Sequence, residues 1–103
     1  MKIIWTKRAY QSWLEAAQYI KQEFGQRALE KFQNNTQQWE NILSSMPQAG
    51  AVEPLLMDLK QKYRSVVISR KNKLIYTIEK DVIKIDDFWD TRREPKLQTK
   101  GLK

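Results

Sequence analysis

The chain has 103 residues, 41% hydrophobic and 11% aromatic, with a formal net charge of +7; this is enough apolar material for one core and excludes intrinsic disorder. It has neither cysteine nor histidine, which excludes a disulfide framework and a thiolate or imidazole zinc site, so no metal and no cofactor is expected. The cationic excess sits in one half: residues 1–59 carry six Lys/Arg against six Asp/Glu, residues 60–103 thirteen against six, which predicts a local field that attracts polyanions or acidic proteins.

Met1–Ala9 lacks the pattern of a signal peptide, and no apolar run approaches the ~18 residues of a membrane span, so a cytoplasmic location with no membrane contact is expected. Lys2–Trp5 is a short β-prone run, and Thr6 is a good N-cap for the helix that follows. Trp5 and Tyr10 stand where a hydrophobic staple would cross that cap. Tyr10, Trp13, Leu14, Ala17, Ile20 and Phe24 repeat at helical spacing and predict an amphipathic helix ending at Gly25. Ala28, Leu29, Phe32, Trp39, Ile42, Leu43 and Met46 predict a second helix, stopped by Pro47. The one-residue break makes the two an antiparallel hairpin, with Trp13 and Trp39 in the core.

Pro47–Leu59, with Gly50 and Pro54, reads as a loop pinned by Leu55, Leu56 and Leu59. Three β runs follow. Tyr63–Ser69 leads into a polar turn at Arg70–Lys73, where Asn72 tolerates positive φ. Lys73–Glu79 places Leu74, Tyr76 and Ile78 on one face and Lys73, Ile75, Thr77 and Glu79 on the other. Val82–Trp89 follows a tight Lys80-Asp81 turn, and the short connections imply an antiparallel meander. The expected fold is therefore α+β: an N-terminal strand and a helical hairpin packed on an antiparallel sheet, in the order β-α-α-β-β-β. It is one domain, residues 1–103, with 96–103 a flexible tail. The sheet face away from the hairpin is expected to be open and to carry Lys and Arg.

Several side chains are candidates for function. Tyr63 and Trp89 either stack on bases beside the basic face or cap the core edge. Arg92 and Arg93 either meet a target or pair with Asp86, Asp87 or Asp90. The three aspartates are expected to pair with Arg70 or Arg92 and not to hold Mg²⁺, since Asp86 and Asp87, adjacent on a strand, should point to opposite faces.

Tyr63-Arg64, Lys73-Leu74-Ile75-Tyr76, Ile83-Lys84-Ile85 and Trp89-Asp90-Thr91-Arg92-Arg93-Glu94-Pro95 stand in an order that resembles the RelE/ParE toxin superfamily of type II toxin–antitoxin systems. The resemblance spans nearly the whole chain and implies the fold above. It also implies a cognate antitoxin, usually acidic, that adds a strand or helix and covers Arg64 and Arg92. The assembly would be a homodimer or a toxin–antitoxin hetero-oligomer. ParE-like members inhibit DNA gyrase, whereas RelE-like members cut mRNA on the ribosome; Arg64, Lys73 and Arg92 match basic positions that could neutralise a phosphate. Ribonuclease chemistry also needs a proton acceptor and a donor. No Tyr or His follows Trp89 here, and Val66 stands where that branch has a second base. The favoured expectation is a gyrase-binding toxin of a plasmid-stabilisation module. A metal-independent endoribonuclease and a non-toxic module for RNA or an acidic protein are the alternatives, so whether the chain is an enzyme stays open.

Overall fold

Thr6 ends the first strand and begins the first helix in one residue. Its hydroxyl accepts from the Ala9 N–H (3.1 Å) and donates to the Asp86 carbonyl (3.2 Å), while its N–H donates to the Ile85 carbonyl (3.0 Å). The helix start is thereby tied to the last strand. The computed structural model describes residues 1–69 and 71–91. In chain order it contains β1 (Lys2–Trp5), α1 (Lys7–Phe24), α2 (Gln26–Ser45), β2 (Ala51–Val52), a 3-10 turn (Pro54–Leu56), β3 (Arg64–Ser69), β4 (Asn72–Glu79) and β5 (Val82–Asp90). The tail expected at residues 96–103 lies outside the described residues, as do Arg70, Arg92 and Arg93.

The staple forms: Trp5 and Tyr10 meet edge to face with ring centroids 6.4 Å apart. Gly25 serves both helices at φ +93°, a conformation that disfavours any side chain, and the hairpin turns there without a further linker. The expected apolar stripes are offset, however. In α1 the core receives Ala9, Trp13, Ala16, Ala17 and Ile20, whereas Tyr10, Leu14 and Phe24 stay exposed. Small residues let the helix approach the sheet closely, and the large ones flank the contact. In α2, Phe32, Thr36 and Leu43 are buried while Ile42 is exposed, as is Met46 just past the helix end.

The sheet runs β1-β5-β4-β3-β2. β3, β4 and β5 form the expected antiparallel meander, and β1 joins the far side of β5 in parallel, Lys2 opposite Val82 through Trp5 opposite Ile85. The segment read as a loop adds a fifth, two-residue strand, β2, on β3. Asn72 is not the positive-φ residue; it opens β4, its side chain accepting from the Ser69 hydroxyl (2.7 Å), and Lys80 in the other hairpin takes φ +56°. The hairpin packs on the face formed by Val66, Ile68, Leu74, Tyr76, Ile83, Ile85 and Phe88.

One irregularity decides the other face. The pairing shifts between Ile75 opposite Asp87 and Tyr76 opposite Ile85, leaving Asp86 as an extra residue in β5. Such a bulge resets the alternation of side chains. Asp86 accepts from Thr77 (2.8 Å) and Asp87 from the Trp89 indole (3.0 Å); both therefore point away from the hairpin, correcting the expectation of opposite faces.

Candidate functional site

The face away from the hairpin is not an open basic surface. The segment after Val52 folds over part of it, and Leu56, Tyr63, Ile75 and Trp89 form a second buried cluster there, with Leu59 packed against it. Tyr63 is 8% exposed and Trp89 3%, so both rings are packed at this edge. Burial, with the nearby Asp86 charge, raises the Tyr63 phenol above its ordinary value and keeps it neutral.

Three polar centres surround this cluster. Glu53, fully buried, accepts from Lys73 Nζ (2.7 Å) and the Ser65 hydroxyl (2.9 Å) on one oxygen and from the Leu55 N–H (3.0 Å) on the other. Burial alone would push its carboxyl up, but the Leu55 N–H, Lys73 and Ser65 outweigh it and hold the group below its ordinary value. Asp86 accepts from Thr77 and lies 3.5 Å from Lys84 Nζ, which also reaches Glu79 at 3.8 Å. Here burial wins, and the Asp86 carboxyl is raised despite Thr77 and Lys84. Asp87 accepts from Arg8 Nε (3.1 Å), the Trp89 indole and the Phe88 N–H (2.9 Å). The aspartates thus find Lys84 and Arg8; the expected partners Arg70 and Arg92 lie outside the described residues.

Arg64 is elsewhere. It pairs with Tyr76, on the hairpin side of the sheet, and its Nη1 donates to the Gly50 carbonyl at 2.7 Å. Tyr76 completes this latch: its hydroxyl donates to the Pro47 carbonyl (2.7 Å) and accepts from the Gly50 N–H (2.9 Å). Lys73, opposite Val67, belongs to the other face with Glu53. Of the expected cations, then, Arg64 and Lys73 are on opposite sides of the sheet, each with an internal acceptor, and Arg92 and Arg93 lie outside the described residues. Sequence reasoning missed Glu53 and Arg8. Glu53 had a signal, a carboxylate directly before Pro54 that caps the 3-10 turn; Arg8, on an exposed helix start, had none.

A cleft of about 610 Å³ opens between the second half of α1 and the first half of α2, beside Ser69, Lys71 and Asn72 and the end of β5. Phe32 and Phe88, edge to face at 5.7 Å, meet at its base. Ala16, Ile20 and Ala28 line its wall, and Tyr19 and Phe24, 6.3 Å apart, form an exposed aromatic rim. Glu15, Lys31, Lys71 and Asp90 add charges of both signs. An apolar trough with a charged rim suits an amphipathic protein segment better than a phosphate backbone. Among the described residues no three acidic side chains stand close enough to hold a metal ion, and no helix is long and apolar enough to cross a membrane.

Comparisons with known proteins agree with this architecture. A family model described as the ParE toxin of a type II toxin–antitoxin system, parDE, matches residues 3–95. Similar solved structures include a chromosomal ParDE toxin–antitoxin system from P. aeruginosa, with TM-score 0.69 and 15% identity over 87% of this chain and 95% of that one. A YoeB/ParE toxin from Agrobacterium tumefaciens gives TM-score 0.60 and 16% identity over 87% and 98%. The YoeB dimer from Staphylococcus aureus gives 0.52 and 23% over 86% and 94%. No curated protein matches the chain.

Proposed function

Because the chain belongs to the ParE toxin family of type II toxin–antitoxin systems, we propose that it arrests growth by binding DNA gyrase and that an antitoxin seated in the cleft between the helices restrains it. It would serve as the toxin of a plasmid-stabilisation module. The observation that carries this reading is the separation of Arg64 from Lys73. A nuclease site needs cations converging on one phosphate beside a proton acceptor and donor. Here the two cations stand on opposite faces, one held by the Gly50 carbonyl and the other by Glu53, and a single phosphate cannot meet both. Binding through the charged surface needs no such convergence. The apolar cleft supports the antitoxin part, since an amphipathic segment would bury Tyr19 and Phe24, now exposed.

Regulated expression of the chain alone in a bacterial host, with DNA-damage and translation reporters read together, tests this. Growth should stop with the DNA-damage reporter rising first, and purified chain should inhibit supercoiling by gyrase. Early collapse of translation with cleaved mRNA would establish the ribosome as target instead, and normal growth on soluble expression would indicate a non-toxic binding module.

A further inference from the structure

The cover over Tyr63 and Trp89 is a turn fixed at several points. Glu53, held by Lys73 and Ser65, accepts the Leu55 N–H on its carboxylate (3.0 Å) and the Leu56 N–H on its carbonyl (3.1 Å); the Leu59 N–H then donates to the Leu56 carbonyl (3.2 Å). Leu56 and Leu59 pack with Tyr63, Ile75 and Trp89. Leu55 and Met57, beside them in the chain, are left outside, and Met57, 69% exposed, is the most exposed large apolar side chain among the described residues. One apolar side chain in water is ordinary. Two held outward by a fixed turn are ordered before any partner arrives and lose little freedom on binding. Lys60 and Lys62 follow, both exposed and in no ion pair among the described residues, while Asp58, the exposed acid of this stretch, has an interaction of its own. An apolar centre with a charged rim is the layout of a protein interface, and methionine adapts to the surface it meets.

We propose that this strap, residues 53–62, is the surface through which the chain meets its protein target, with Leu55 and Met57 entering an apolar notch and Lys60 and Lys62 meeting carboxylates on its rim. The inference rests on the gyrase reading for the target's identity, and on the strap itself for the place of contact. Charge and chemistry select the occupant. RNA would take the lysines but leave the two aliphatic side chains without a partner, since the rings that could stack on bases, Tyr63 and Trp89, are buried beneath the strap. A second copy in a symmetric contact would set lysine against lysine. An acidic protein face satisfies both the apolar pair and the charges. The cleft read as the antitoxin seat lies between α1 and α2, on the other side of the sheet, so target and antitoxin make separable contacts.

The test is inhibition of gyrase supercoiling by the purified chain. Met57→Glu, and Lys60→Glu combined with Lys62→Glu, should each raise the half-inhibiting concentration about tenfold or more, the scale of one lost interface hot spot. Their melting temperatures should stay within a few degrees of the parent, and their affinity for the antitoxin of the same operon should be unchanged. Tyr10→Glu, a comparable change on the hairpin side, should leave inhibition within about threefold. The unaltered chain gives a second readout that no misfolded variant can confuse. In limited oxidation by hydrogen peroxide, bound gyrase should slow conversion of Met57 to the sulfoxide about fivefold or more, while Met46, 60% exposed and outside the strap, reacts as in the free chain. If the parent inhibits gyrase and the strap variants do so equally well, or if RNA or the antitoxin protects Met57 and gyrase does not, the strap is overturned and the gyrase reading stands. A parent that does not inhibit gyrase overturns both.

Discussion

At position 50 there is no room for a side chain: a Cβ would lie 2.7 Å from the Tyr76 hydroxyl oxygen, 2.8 Å from its ring and 2.9 Å from the Ser65 carbonyl. Backbone and a buried phenol cannot both yield, so Gly50→Ala should cost ~1–3 kcal/mol in equilibrium denaturation, as overpacking of a filled site does. Unchanged stability would mean that the latch of Tyr76, Gly50 and Arg64 is loose. The same latch explains why Arg64 could not be assigned from its position alone. A strand arginine beside tyrosine has the same sequence signature whether it faces solvent or bonds a carbonyl 14 residues away in the chain, and only the closed turn at Pro47–Gly50 distinguishes them. Lys73 is the parallel case, since its acceptor Glu53 comes from a segment that reads as loop.

The helices and the meander were legible because their signals are local. An N-cap threonine, helical spacing of apolar residues, a glycine at the hairpin and a proline stop each act within a turn or two of the chain, and all four fall where expected. The buried stripe of α1 was less legible, because which residues face the sheet depends on how closely the helix approaches it, and that is set by Ala9, Ala16 and Ala17 together with the strands opposite. Trp13 links these elements. It stacks on Phe32 (5.3 Å, 19°) and donates from its indole to the Thr36 hydroxyl (2.9 Å), which itself donates to the Phe32 carbonyl (3.0 Å). Trp13→Ala should therefore cost ~3–5 kcal/mol, and its loss would unpack α1 from α2. A melting temperature unchanged from the parent would place this ring outside the structural core.

Across the whole molecule, the face away from the hairpin carries two carboxylates displaced in opposite directions, and they predict opposite pH dependences. Glu53 is held below its ordinary value of 4.5 in the fold, so its contribution is fully present above that value and is lost as pH falls through the lower folded one. Asp86 is raised above 3.8, so the folded state binds a proton more readily and stability falls as pH rises through the window from 3.8 to the raised value. Denaturation followed from acid to neutral pH should show Glu53→Gln weakest at pH 7, by on the order of 3 kcal/mol, with its deficit shrinking in acid. Asp86→Asn should instead gain on the parent as pH rises through that window. Parallel curves for both variants would mean that neither environment is as described. By itself the sequence determined the α+β class, the order of elements, both helix starts and stops, the meander and the family resemblance, all carried by local spacing or by the linear order of short motifs. The tertiary structure alone decided the parallel seat of β1, the bulge that turns Asp86 and Asp87 to one side, the cover over Tyr63 and Trp89, and the separation of Arg64 from Lys73. These depend on contacts between residues far apart in the chain, where one extra residue in a strand reverses the face of every side chain beyond it.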